Sequence, residues 1–370
     1  MTNTIAIVGG GFAGTLIAEA LDPVAEVVLI DPRDAFVNVS ASLRAPPRPD
    51  WAPNAFFPYA SLLSNGTHVR DFAASVDADG VLLTSGARLD ADYIVLATGS
   101  TYAYPARPRK HDSGAAEALE DLQHTNEELQ AAGRVLILGA GPVGLELAGE
   151  IREVWPHKHI TIVDPGHELL SGFLPEVREE LSQQLAALNI DVRLGTKLDG
   201  LPPTPEGETG EFTVTTDSGQ EISADIWFRS FGSRVNTSYL EDGHLITLDH
   251  GMVPVTDTLT VVGYDNIYAV GDITNLPDPK MATWAQTQAG VVVENLTAQL
   301  HGKPGDHTYT PVTADTRRIF LPLGSTGGVG QIPGPDGAPI LAPVHVVIDR
   351  KGRDLFTSRF AQRFHQPSTT

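Results

Sequence analysis

An α/β fold with two similarly built parallel-sheet domains and a small C-terminal α+β domain is what three features of this chain predict. The first is a pair of glycine-rich turns, each between an apolar strand and a helix start: "AIVGGGFAGTLIAEAL" near the N-terminus and "LILGAGPVGLELAGE" at 136–150. The second is an acid that closes the next apolar strand in each half, Asp31 in "EVVLID" and Asp164 in "HITIVD". The third is an internal echo. Strands at 94–97 and 226–229 run into small-residue turns, Thr98-Gly99-Ser100 and Ser230-Phe231-Gly232.

The spacing within each turn carries chemistry. Gly9, Gly11 and Gly14 form one G-x-G-x-x-G set, and Gly139, Gly141 and Gly144 form another. Such a set lets the backbone turn tightly and approach a pyrophosphate, whose charge then rests on free N–H groups at a helix N-terminus. A carboxylate roughly 20 residues further on is placed to accept bonds from a ribose. One such motif is weak evidence. Two complete strand-turn-helix-strand-acid units predict two Rossmann-like dinucleotide-binding domains.

Composition narrows the function. With 25 basic against 46 acidic residues, net charge −21, long-range attraction to nucleic acid is not expected. No run of about 18 apolar residues marks a membrane span, and "MTNT" leads directly into a strand without a signal peptide, so a cytoplasmic location is the default expectation. The cysteine count of 0 excludes electron passage through a dithiol and metal clusters held by thiolates, and no metal site is expected. Electrons must leave directly from an organic cofactor.

Residues 1–109 and 246–311 are expected to form a discontinuous first domain, 110–245 the second and 312–370 the third. "YPARPRKHD", rich in proline and basic residues, reads as a linker. "PEVREELSQQLAALN" reads as a helix, "EFTVTTDSGQEISADIWFRSFGS" as a hairpin and its exit. Further on, "NIYAVGD" delivers Gly271-Asp272 from a strand, and an amphipathic helix follows from about Met281. "FLPLGSTGGVGQIPG" is glycine-rich without a phosphate-binding context.

The order of "GGGFAG", "LATGS", "GAGPVGLELAGE" and "YAVGD" resembles the FAD-dependent pyridine nucleotide oxidoreductases with two dinucleotide-binding domains. "NVSASLRA", "PKMATWAQTQAGVVVENL", "GGVGQIPG" and "KGRDLF" resemble their ferroptosis-suppressor, or apoptosis-inducing-factor-2-like, branch, which is related to the type II NADH dehydrogenases and reduces quinones with NAD(P)H. The resemblance implies that Gly9, Gly11, Gly14 and Asp31 hold FAD, that Thr98 and Gly99 pass near it, and that Asp272 binds its ribityl chain. It assigns Gly139, Gly141, Gly144, Asp164 and Gly232 to the nicotinamide dinucleotide. Asp31 and Phe231 depart from the glutamate and threonine commoner at those positions. The chain opens Met1-Thr2, without the glycine needed for myristoylation, so anchoring by that route is not expected.

Two residues are candidates for catalysis. Glu146 matches the position that contacts the nicotinamide; without the family it reads as an acid favoured near a helix N-terminus. Lys351 matches a lysine beside the flavin, where a cation stabilises negative charge on the ring or on a quinone oxygen; alone, "DRKGRD" reads as an exposed turn. Glu150, one turn beyond Glu146, reads as structural. Lys280 has a weaker claim on the cofactor, equal to a packing role. Asp164 with no arginine in "DPGHELL" favours NADH, with NADPH less favoured.

Phe356, Phe360 and Phe364 recur at helical spacing beside Arg359 and Arg363. Core or homodimer packing is the first reading of this stripe; peripheral membrane contact, opening a route for a lipid quinone, is the second. The sequence therefore predicts a flavoprotein that passes a hydride from NADH to FAD and electrons to a quinone. A ferredoxin or rubredoxin reductase, served by a basic patch at Arg317 and Arg318, and an NADH-responsive redox sensor are the alternatives.

Overall fold

The structure is a computed structural model that describes residues 3–240 and 249–366. The domain break expected at 245/246 lies outside the described residues. One parallel sheet runs Ile267–Ala269, Tyr93–Leu96, Thr4–Val8, Glu26–Ile30, Thr67–Val69 in spatial order. Its strands read as nearly unbroken apolar runs because both faces are covered. Helices Phe12–Leu21 and Ala282–Leu300 pack on one face. The other receives Val76, Val81 and Leu83 of a small antiparallel sheet. The strand Ile267–Ala269, distant in sequence, pairs with Tyr93–Leu96 and so brings Asp272 back to the cleft edge of this sheet.

The second sheet repeats the plan with Ile190–Arg193, His159–Val163, Arg134–Leu138 and Ile226–Arg229. Helices Pro142–Val154 and Pro175–Ala187 cover one face, and the hairpin of Phe212–Thr215 with Glu221–Ala224 covers the other. A three-stranded antiparallel sheet, Ile319–Leu323, Gly327–Pro333 and Pro339–Leu341, lies over those two helices and shares their core. Gly149 permits this approach, since a Cβ there would stand 2.7 Å from the Leu323 Cα.

The chain then crosses to the first unit. Phe360 and Phe364 are buried against Phe12, Phe36 and Phe57, with the Phe36–Phe360 centroids 4.8 Å apart. Phe360 and Phe364 are thus core, while Phe356 is half-buried at a cavity wall; this corrects the reading in which the aromatics of the stripe embed in a membrane, since a burial of this kind needs no lipid to remove the rings from water. No described helix is long and apolar enough to cross a membrane. "YPARPRKHD", read as a linker, joins the strand Ser100–Thr101 to the helix Ala115–Ala131 without regular structure. Tyr104 and Ala106 are buried, and Arg107 turns inward to line a cavity. Its basic end, residues 109–112, is exposed.

Candidate functional site

Both glycine cradles share one geometry. Gly9 has φ +105° and Gly139 φ +111°, values open to glycine and unfavourable for other residues. A Cβ on Gly9 would lie 2.5 Å from the Ala97 carbonyl oxygen, and one on Gly14 only 1.9 Å from that of Gly9. The corresponding distances are 2.8 Å from Gly139 to Ser230 O and 2.1 Å from Gly144 to Gly139 O. Gly11 and Gly141, by contrast, face open space at the N-termini of helices Phe12–Leu21 and Pro142–Val154. The outer glycines let the turn close, and the middle one leaves room for a phosphate.

The acids also correspond. Asp31 is buried and accepts from the Gly10 N–H at 2.8 Å and the Arg33 N–H at 3.0 Å. Asp164 accepts from the Ala140 and Gly166 N–H groups, each at 2.7 Å. Each carboxylate therefore ties its own glycine turn, in addition to any bond it makes to a ribose. Gly99 and Gly232 close the facing turns at φ +62° and +80°. Asn236 clamps the first of these, donating its side-chain amide to Thr98 O at 2.9 Å and accepting the Thr98 hydroxyl at its own carbonyl at 2.7 Å.

Two cavities meet over the first cradle. One of about 260 Å³ is lined by Gly9, Asp31, Arg33 and Tyr239. The other, of about 390 Å³, is lined by Gly99, Glu146, Asp272, Lys280 and Lys351, with Val39, Leu43, Phe320 and Phe356 supplying apolar wall. Gly11, Thr98, Ser100 and Arg107 border both. The result is a long cleft bent over a helix N-terminus.

Its middle is built for an anion. The Nε atoms of Arg33 and Arg107 are buried without a hydrogen-bond partner. Burial, then the facing Arg33, lower the Arg107 guanidinium to about 10, and the same two arginines help burial to hold His111 below its usual range. Two guanidiniums that repel one another at a glycine cradle call for a polyanion. A ligand with a diphosphate between two ring systems fits this cleft, and FAD has that shape. Neither arginine was singled out from the sequence as part of the site; their signal lay in the basic run after "LATGS" and in "DPRD".

The two catalytic candidates, 205 residues apart, form one pair. Lys351 Nζ donates to Glu146 Oε1 at 2.7 Å, with side chains 13% and 6% exposed. Burial raises the Glu146 carboxyl above the usual range, against the lowering pull of Lys351. Lys351 sits in a π-helical turn, Ile348–Gly352, followed by Leu355 and Phe356 at φ +51° and +66°. Wide turns and left-handed non-glycine residues of this kind concentrate at functional sites. Lys280 lines the same cavity but donates to the Thr274 carbonyl at 2.8 Å, and burial lowers its ammonium. Asp272 accepts from the Ser100 hydroxyl at the cavity wall. Its turn is braced by Gln288, which accepts the Gly271 N–H at 2.6 Å and donates to Asp278 at 3.0 Å. Arg318 is exposed at the rim of this cavity, and Arg317 beside it donates to the Gly172 carbonyl at 2.8 Å.

Comparison with known proteins gives a consistent placement. The pyridine nucleotide-disulphide oxidoreductase family model matches residues 3–289. Ferroptosis suppressor protein 1 of Taeniopygia guttata is 31% identical, over 96% of this chain and 94% of that protein. Apoptosis-inducing factor homolog A of Dictyostelium discoideum is 28% identical, over 98% and 92%. Among solved structures, the sulfide:quinone oxidoreductase of Aquifex aeolicus superposes with a TM-score of 0.74 at 19% identity, covering 98% of this chain and 91% of that one. NDH2 of Plasmodium falciparum, solved with NADH, gives 0.72 at 13% identity, covering 99% and 98%. These two establish the shared fold.

Proposed function

The chain belongs to the pyridine nucleotide-disulphide oxidoreductase family, and from that premise we propose that it is a FAD-containing NADH:quinone oxidoreductase. The disulphide half of the family's name has no counterpart here, since the sequence holds no cysteine. The observation that carries the reading is the buried Lys351–Glu146 pair on the wall of the cavity that begins at the first cradle and reaches the helix of the second.

FAD, when bound, accepts a hydride as an electron pair and releases electrons to an acceptor. The protein's own part is binding, orientation and proton supply. Gly11 with Arg33 and Arg107 holds the diphosphate, and Asp31 the adenosine ribose. Asp272 and the Thr98-Gly99 turn line the flavin end. The second cradle, with Gly141 at its phosphate face and Asp164 at its ribose, presents the nicotinamide dinucleotide, and Asp164 disfavours a 2′-phosphate by charge. Val39, Leu43, Phe320 and Phe356 exclude water from the acceptor side and suit an apolar ring.

Reduction of a quinone to a quinol consumes two electrons and two protons. Lys351 Nζ carries protons at the cavity wall, and its charge stabilises a developing quinone oxyanion. Glu146 keeps that ammonium in place and, with its raised pKa, is able to hold a proton in exchange. Steady-state oxidation of NADH by the FAD-loaded protein against soluble quinones, a ferredoxin and oxygen tests the reading. Quinones should turn over fastest; negligible quinone turnover with rapid ferredoxin reduction would replace it.

A further inference from the structure

Glu150, one helical turn beyond Glu146, is also paired, and its partner reaches the same catalytic turn. Arg44 donates to Glu150 Oε1 at 2.7 Å through Nη2 and at 2.9 Å through Nε, with side chains 4% and 3% exposed. The guanidinium's remaining donors go to the main chain just after Lys351: Nη2 to Gly352 O at 2.7 Å and Nη1 to Arg353 O at 3.0 Å. Arg48 adds a second cation to Glu150 and bonds Glu153 at 2.7 Å. Asn38, six residues before Arg44, donates to Leu355 O at 2.8 Å. One short segment of the first unit thus holds the turn that carries Lys351, while the same arginine is fixed by the helix that carries Glu146.

We propose that Arg44, held by Glu150, is a positioning residue that sets Lys351 Nζ against Glu146 at the cavity wall. A π-helical turn has fewer ideal hydrogen bonds than an α-helix, and the left-handed Leu355 and Phe356 that follow are strained. Such a turn keeps its shape only when outside donors take its carbonyls. A planar guanidinium is suited to this because it bonds a carboxylate and two carbonyls at once, which a lysine ammonium cannot match. Two acids one turn apart on one helix would repel. Here each has its own cation, and the two cations belong to one connected unit.

The proposal deepens the proposed function but its test does not depend on catalysis. Arg44→Met with Glu150→Leu removes both charges together and strands neither, since Arg48 keeps Glu153. Trace acetylation of the FAD-loaded protein, read by peptide mass, reports how well each lysine is protected. Lys351 should acetylate about ten-fold faster in the double variant, with Lys158 unchanged as a buried reference. Reoxidation by a soluble quinone should slow by about ten-fold in the same variant, and show no added loss when Lys351→Met is already present. Should the double variant fail to fold, Arg44→Lys, which keeps the charge and loses the fork, should give an intermediate labelling rate. Unchanged Lys351 labelling in a folded variant overturns the positioning role, as does a loss of quinone rate of equal size in the Lys351→Met background. Faster labelling with unchanged quinone rates keeps Arg44 as the positioning residue and removes Lys351 from the reaction.

Discussion

Replacing Lys351 by methionine separates the chemistry of the cavity from cofactor binding. The substitution keeps much of the side-chain volume and removes the ammonium bonded to Glu146, at 2.7 Å and 13% exposure. Two unit charges about 4 Å apart attract by ~4 kcal/mol at the effective dielectric of a protein edge. Desolvation offsets part of that, and single preorganised donors to a developing charge are typically worth a few kcal/mol. A loss of roughly 2–3 kcal/mol, about 30- to 150-fold in rate, is therefore expected. Because the interaction strengthens as charge develops, turnover should fall while NADH affinity and FAD content hold. Glu146 loses its cation, but burial already raises its carboxyl, so it takes up a proton and avoids stranding a buried charge. Stability near neutrality should then fall by less than the roughly 3–5 kcal/mol of a broken buried pair. Stopped-flow reduction by NADH, followed by reoxidation with a soluble quinone, locates the affected step. If both half-reactions keep their original rates, Lys351 has no part in electron or proton delivery.

Three further outcomes follow from the geometry. Gly14→Ala forces a Cβ to within 1.9 Å of the Gly9 carbonyl and Gly144→Ala to within 2.1 Å of that of Gly139; the first should purify largely without FAD, and the second should keep FAD but lose reduction by NADH, as absorbance spectra before and after NADH will report. Asp164→Ala removes bonds to two N–H groups as well as the charge that opposes a 2′-phosphate, so NADH affinity should fall by about 1.5–3 kcal/mol while the preference over NADPH narrows; equal kinetics for the two donors in the unaltered protein would contradict the assignment. Glu146 has a folded pKa raised chiefly by burial, so its contribution to stability is full below the ordinary glutamate range and is lost as pH rises through the folded value. Melting temperatures taken from about pH 4.5 upward should therefore fall less in Glu146→Gln than in the parent, and superimposable pH profiles would exclude the buried, raised carboxyl.

What the sequence disclosed, and what it hid, divides along physical lines. The two cradles were legible because positive φ at Gly9 and Gly139 and the sub-contact space at Gly14 and Gly144 leave glycine as the one choice, and that choice is written in the chain. Periodicity marked the tail phenylalanines as one face but carries no record of what covers it; the cover, Phe12, Phe36 and Phe57, comes from the other end of the chain. Arg107 was hidden because proline and charge indicate a surface run, and a guanidinium turned into a cavity is indistinguishable in sequence from a solvated one. Lys351 was visible through family resemblance and not from its own surroundings. Its pairing with Glu146 depends on packing the antiparallel sheet over the helix Pro142–Val154. Glu150 read as structural, and nothing near it announced Arg44, 106 residues away.

The central claim, that one cleft holds FAD between a nicotinamide cradle and an apolar acceptor wall with no thiol in between, is tested most directly by an anaerobic titration of the purified protein. It should be yellow with one FAD per chain, bleach with one equivalent of NADH, and recover its full colour on addition of one equivalent of a soluble quinone. A colourless protein that fails to take up FAD, or a flavin that NADH bleaches and no quinone restores, would contradict it.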